Sequence, residues 1–354
     1  MTGNSFSTSS RDNNFGALRL LFAALVIVCH SSILLDGGNA REPLFFITHT
    51  LTLGDIAVDG FFLVSGYLVL QSLLTSGSAV EFIGKRVLRV YPGYVVACLV
   101  SILLGAIAGG RVAEINPSFL FQTAIRMLYL DGVSLDNAYF RNPMQGLNGS
   151  LWTIAYEFCC YLCLLVLAVL ELPKRRKLMV ALAAALLLWT VLPARVGRLE
   201  VFYGAAAYYS RFFSLFASGC VFYLYRDRIR DSKRTVVASI ALLVALLPSA
   251  RFCTASVAIA GGYLIFWFAI RVRSSAISRF ANHTDLSYGV YLYGWPVTQT
   301  IIWCLPGINR WLLAGLAVIM SACLAYLSWR LIEKPALGWK KYLVYSPREM
   351  AVSR

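Results

Sequence analysis

The stretch RLLFAALVIVCH, residues 19–30, sets ten apolar or near-apolar residues between an arginine and a histidine. It lies within a longer run, Phe15 to Leu35, that has the roughly 20 residues a helix needs to cross a hydrocarbon core of about 30 Å. Runs of this kind recur along the whole chain. Of the 354 residues, 59% are hydrophobic and 14% charged, more apolar surface than a soluble domain has use for. The sequence therefore predicts an all-α, polytopic membrane protein. A cleaved secretory signal would be shorter and would end in small residues, so the first run reads as a retained helix.

Ten spans are expected: Phe15 to Leu35, Ile56 to Leu74, Val90 to Ala108, Leu151 to Leu170, Leu178 to Leu192, Tyr208 to Leu224, Val236 to Leu247, Ala255 to Ile270, Leu286 to Leu305 and Trp311 to Ile332. With ten crossings the basic clusters Lys85/Arg86/Arg89, Lys174/Arg175/Arg176/Lys177, Arg226/Arg228/Arg230/Lys233/Arg234 and Arg271/Arg273/Arg279 fall on one side. An excess of Lys and Arg marks that side as cytoplasmic in a cell (inner) membrane. Both termini belong to it, with residues 1–14 and 342–354 as cytoplasmic tails around a membrane domain, 15–341. An eleventh crossing through FLFQTAIRMLYL, residues 119–130, would break this pattern, so that segment is expected to be re-entrant or interfacial.

The net charge of +15 is thus a matter of topology, and no folded basic domain offers a nucleic-acid surface. Nine arginines, Arg41, Arg111, Arg126, Arg141, Arg195, Arg198, Arg211, Arg251 and Arg310, land on the outer side, where they either meet lipid headgroups or draw in an anionic acceptor. The nine cysteines sit mostly inside apolar runs. Cys160 and Cys163 form one CxxC within a helix, better explained by packing than by zinc or disulfide chemistry, and no metal is implied.

Arg19 and His30 are eleven residues apart, about three turns, so they share a helix face and stand roughly 16 Å apart along the axis. Ionisable groups at such depths face a bundle interior or a wet cavity. Arg19 can also be explained as a snorkelling side chain, and His30 as a neutral interfacial imidazole. Imidazole is nevertheless the side chain suited to proton exchange near neutral pH, given an orienting partner. Two acids are expected at its depth: Asp59, one turn into the second span behind the capping residue Asp55, and Glu157 in the fourth span, behind Trp152. Each has a plainer role open to it, as an interface polar group or an ion-pair partner. On the inner side Arg86 and Arg89 share a face at the mouth of the third span, as topology anchors or as a forked phosphate grip together with Arg19.

These motifs, in this order, resemble the acyltransferase-3 family of integral membrane O-acyltransferases. The resemblance runs from Phe15 to about Leu337. It is carried by the Arg19 and His30 pair, VDGFFLVSGYL around Asp59 to Leu68, RVLRVYP around Arg86 to Pro92, NGSLWTIAYE up to Glu157, SYGVYLYGWP at Ser287 to Pro296 and WRLIEKP at Trp329 to Pro335. It implies that acyl-CoA, with acetyl-CoA the expected donor, supplies an acyl group to a hydroxyl of an extracytoplasmic acceptor, a surface polysaccharide or lipid-linked sugar. It further implies His30 as the catalytic histidine, Arg19, Arg86 and Arg89 as donor-binding residues, and Asp59 and Glu157 as shaping the outer site.

The sequence departs from the family at Gly294, where many members carry a histidine two residues before the proline of the ninth span. The remaining histidines, His49 and His283, are expected at the surface. Many relatives also carry a soluble hydrolase-like domain, which is not expected here. Direct transfer with His30 as base and an acyl-histidine intermediate are both compatible with these residues. So are two other classes, a transporter or flippase with Gly66 and Gly294/Pro296 as helix interruptions, and a scaffold subunit with a degenerate site.

Overall fold

The computed structural model describes residues 13–192, 200–229, 231–272 and 276–343, and no side-chain detail is described for 200–205 or 277. Arg195, Arg198, Arg230, Arg273 and nearly all of both predicted tails lie outside the described residues. The protein is all-helical, with no strand among the described residues. Its helices are α1 (Phe15–Asp36), α2 (Pro43–Thr48), α3 (Leu53–Leu74), α4 (Ala79–Gly109), α5 (Pro117–Leu128), α6 (Trp152–Val169), α7 (Arg176–Val191), α8 (Glu200–Leu224) and α9 (Lys233–Leu246). α10 (Cys253–Ser256) continues through a π-helical turn, Val257–Gly261, into α11 (Gly262–Arg271); α12 (Ala276–His283) and α13 (Ser287–Cys304) follow. α14 (Arg310–Ser328) passes through a second π-helical turn, Trp329–Glu333, into α15 (Lys334–Gly338) and a 3-10 turn, Trp339–Tyr342.

Each of the ten predicted spans coincides with a helix. Six of the helical stretches are long and apolar enough to cross a membrane: α1, α3, α4, α6, Cys253–Arg271 and Arg310–Tyr342. α7 and α9, at 16 and 14 residues, are shorter. α13 is of another kind. Fifteen of its 18 residues are buried, its tyrosines, Thr298 and Gln299 among them, so its polar groups face protein and not lipid.

Relative helix directions follow from the contacts. α1 and α3 are antiparallel: Phe15 meets Tyr67 at one end, and Cys29 lies against Gly54 at the other. α1 and α13 are parallel, with Gly16 beside Asn282 and Ile27 against Gly294. α3 and α8 are also parallel, Phe62 stacking on Phe212 at 4.3 Å and Gly66 lying against the Phe216 carbonyl. For these helices the directions agree with the predicted alternation of crossings.

The segment 110–150 doubles back along the bundle. α5 runs down beside α4, where the Tyr91 and Tyr94 hydroxyls donate to the Leu128 and Asp131 carbonyls at 2.7 and 2.5 Å, and the chain then climbs until the Asn137 carbonyl reaches Gly109. Tyr94 precedes Gly109 by fifteen residues, about 22 Å of helix. The amphipathic α5 exposes Phe121 and Leu128 along this path.

Several of the arginines expected on the outer side have partners within the protein. Arg310 donates to Asp36 at 2.6 Å and to the Arg41 carbonyl, Arg111 pairs with Glu114, and Arg211 is held in the interior as described below.

α3 and α8 cross at two glycines. A Cβ on Gly66 would lie 2.0 Å from the Phe216 carbonyl oxygen, and one on Gly219 would lie 2.0 Å from that of Leu63. Small residues allow such backbone approach, and neither backbone can yield without uncoupling the helices. Gly219→Val is expected to cost about 3 kcal/mol or more and to remove the monodisperse folded protein from detergent extracts. Gly315→Ala in α14, where a Cβ meets nothing within 4 Å, should melt at or above the wild-type temperature.

Candidate active site

A cavity of about 290 Å³ opens between α1, α3, α4, α6 and the start of α13, with Lys340 of the C-terminal turn on its wall. Its lining on α3 centres on Val58, Phe61, Ser65 and Leu68, a helical spacing that puts them on one face, with Phe62, Val64 and Val69 at the edges. Its cations are Arg19, Arg86, Arg89 and Lys340, and its acids are Glu157 and Asp285. Arg86 and Arg89, three residues apart on α4, both reach it because i and i+3 lie on one side of a helix.

Asp285, in the turn ahead of α13, is the hinge of this group. Arg19 Nη1 donates to both of its carboxylate oxygens at 3.0 Å, and Arg89 Nη2 stands 2.7 Å from its Oδ2. The Ser287 hydroxyl donates to its Oδ1 at 3.0 Å. Arg89 also lies over the Tyr288 ring and 3.6 Å from Glu333, which is delivered by the second π-helical turn and buried. Burial pushes the Asp285 carboxyl up, but the charges of Arg19 and Arg89 overcome that and hold it at about 2.

Glu157 Oε1 accepts from the Ser65 hydroxyl at 2.7 Å and from the Tyr161 hydroxyl at 2.6 Å. The Tyr161 ring in turn carries the Arg86 guanidinium, 5.9 Å from its centroid. Glu157 therefore belongs with the arginines.

Asp59 is fully buried and turned away from the cavity. Its Oδ1 accepts from Arg211 Nε at 2.9 Å, and the same guanidinium donates to Asp55 Oδ1 at 3.1 Å, while Asp59 Oδ2 has no hydrogen-bond partner. Asp55 does act at the helix start, as the third residue of a capping box whose cap is Thr52. Asp59 and Ser65 are six positions apart, about 240° around the axis, so the face that meets α8 is not the face that meets α6.

His30 lies edge-on to Trp295 of α13, with ring centroids 4.8 Å apart. Its Nδ1 is enclosed and has no hydrogen-bond partner. Trp295 is one turn beyond the cavity-lining Tyr291, and its indole N–H donates to the Gly146 carbonyl at 3.1 Å. The segment 142–150 is tied down along α13: Asn142 donates to Gln299, Gln299 to the Met144 and Gly146 carbonyls, and Asn148 to the Leu292 carbonyl. The Tyr291 hydroxyl donates to the Ser150 carbonyl at 2.8 Å. Gly149 sits against the Trp295 ring.

The expected sites thus divide. Arg19, Arg86, Arg89 and Glu157 are brought together; His30, Asp59 and Glu157 are not, because each acid is engaged by other side chains. Asp285, Glu333, Arg211 and Lys340 were missed as site residues. Of these only Glu333 carried a sequence signal, lying within WRLIEKP. At Gly294 a Cβ would lie 2.7 Å from Ile27 Cγ1, so α1 occupies the space a histidine would need. His49 and His283 are exposed. All nine cysteines are free, and no cluster able to hold a metal is found among the described residues.

Apolar membrane helices packed around a charged cavity, with a histidine three turns along α1 from one of its arginines, suit a membrane-embedded transferase. The chain belongs to the acyltransferase-3 family: the model of this acyltransferase domain matches residues 12–330. It is similar to an O-acetyl transferase of Shigella phage Sf6, 28% identical over 330 residues that cover 92% of this chain and 96% of the relative. It is likewise similar to nodulation protein 10 of Rhizobium leguminosarum bv. viciae, 28% identical over 358 residues covering 95% and 96%. No solved structure matches. The chain is an integral membrane O-acyltransferase.

Two consequences of the ion pairs are measurable. Arg211→Ala leaves Asp59 as an unpaired buried charge and is expected to cost on the order of 3–5 kcal/mol, read as a lowered melting temperature in detergent. Asp285→Asn should also lower it. The Asp285 carboxyl, held near 2, is below its unfolded value of about 3.9, so its contribution is complete above that value and lost only as pH falls through 2. The melting difference between wild type and Asp285→Asn is therefore expected to stay constant from pH 5 to 9.

Proposed function

We propose that the protein transfers an acetyl group from acetyl-CoA to a hydroxyl of an extracytoplasmic saccharide, a surface polysaccharide or its lipid-linked precursor. The observation that supports this reading is the division of α1. Arg19 lines a cavity rich in cations, and three turns on, along the same face, stands His30, whose enclosed Nδ1 has no hydrogen-bond partner among the described residues. The O-acetyl transferase of phage Sf6 supports the choice of acyl group.

In this reading the cationic end and both termini face the cytoplasm in a cell membrane, and the donor's phosphates meet the end where Arg19, Arg86 and Arg89 gather. The acyl-pantetheine arm extends past Tyr291 toward His30. The acceptor hydroxyl comes from the opposite side. His30 takes its proton as the oxygen attacks the thioester carbonyl; the C–S bond breaks, and the coenzyme A thiolate leaves and takes up a proton. Such general-base help is worth about 10² to 10⁴ in rate. Trp295 holds the imidazole ring edge-on, Glu157 shapes the cavity wall with Ser65 and Tyr161, and Asp59 acts at a distance by anchoring α8 through Arg211.

The test is transfer of radiolabel from acetyl-CoA to the polysaccharide and lipid-linked sugar fraction of membrane vesicles carrying wild type or His30→Ala. Label is expected with wild type and a loss of at least about 100-fold with His30→Ala, while the purified variant still binds acetyl-CoA. Equal labelling by both proteins would remove His30 from the reaction. Wild type that binds the donor yet labels no saccharide would overturn the acceptor assignment.

A further inference from the structure

The four cations of the cavity are not equivalent. Arg19 and Arg89 face Asp285 and Glu333, two guanidinium charges against two carboxylates, in a group that is neutral as a whole. A phosphate that took either arginine would take it from the half-buried Asp285, and for Arg89 from the buried Glu333 as well, which costs more than the new contact returns. Arg86 is placed differently. It gives one N–H to the Ser72 hydroxyl at 3.1 Å and lies over the Tyr161 ring, with no carboxylate at ion-pair distance among the described residues; its enclosed Nε, like Nη1 and Nη2 of Arg89, has no hydrogen-bond acceptor. Lys340, on the same cavity wall, has no carboxylate partner among the described residues. The nearby carboxylate of Glu157 is occupied by Ser65 and Tyr161.

We infer that Arg86 and Lys340 together receive a phosphate of the acyl donor, whereas Arg19 and Arg89 belong to a structural ion cluster that holds the helix ends around it. The inference rests on the acyl-CoA reading above and divides the labour within it. The fold delivers Lys340 deliberately to this place. The π-helical turn Trp329–Glu333 brings Glu333 to Arg89, and the 3-10 turn after α15 then brings Leu343 against Gly84, where a Cβ would lie 2.6 Å from its Cδ1. Gly84 is two residues before Arg86, and Leu343 three after Lys340, so this seat fixes the two cations beside one another. A guanidinium fork and a mobile ammonium are complementary grips on a phosphate.

The experiment measures binding to purified wild type and Lys340→Gln across a range of salt, with acetyl-CoA and inorganic pyrophosphate as separate probes. Lys340→Gln is expected to weaken acetyl-CoA about tenfold and to flatten the salt dependence, with Lys340→Arg restoring most of both. Without ligand Lys340→Gln should melt no lower than wild type, unlike Asp285→Asn, since no carboxylate among the described residues forms an ion pair with Lys340. Equal acetyl-CoA affinity in wild type and Lys340→Gln overturns the inference and leaves the donor reading standing. Pyrophosphate binding that depends on Lys340, without acetyl-CoA binding, overturns the donor reading and keeps the anion pair. Wild type that binds neither probe overturns both.

Discussion

Charge compensation at Asp285 is the constraint on which the cavity depends. One carboxylate in the turn ahead of α13 accepts Arg19 from α1 and meets Arg89 from α4, and Glu333 closes the group from the end of the α14 segment. Buried guanidinium groups are costly without such partners, so helices far apart in sequence are drawn to one point by the need to neutralise them. The same need acts on the other side of α3, where Arg211 satisfies Asp55 and Asp59 and sets α8 against α3 above the Gly66 and Gly219 crossing. Hydrophobic burial does not distinguish one apolar helix from another inside a bilayer. Ion pairs and close glycine contacts do.

α13 gives the bundle its axis. Its tyrosines, Trp295 and Gln299 would be poor company for lipid, and they are used to tie down the segment 142–150, whose backbone carbonyls and buried asparagines need partners within the protein. Trp295 serves both roles: its N–H holds that segment, and its ring holds His30. The imidazole is thus fixed by an aromatic contact and not by a carboxylate. Gly294 fits the same arrangement, since close contact with Ile27 brings α1 near enough for His30 to meet α13.

The sequence by itself determined the membrane class, the positions of the helices, the family, and the placing of Arg19 with His30 and of Arg86 with Arg89 on shared helix faces. All of these depend on composition or on the 3.6-residue period, which are local properties. It did not determine which helix each face would meet. Asp59 and Glu157 both entered the expected site because each lies a turn or two into a span, yet depth along an axis says nothing of direction around it, and the two acids turn to different neighbours. Arg211, Asp285 and Lys340 acquire their roles through Asp59, Arg19 and Arg86, between 152 and 266 residues away in the chain, set by helix crossings, a π-helical turn and the balance of charge. Those are long-range matters, which no local pattern in the chain encodes and which the packed helices alone set.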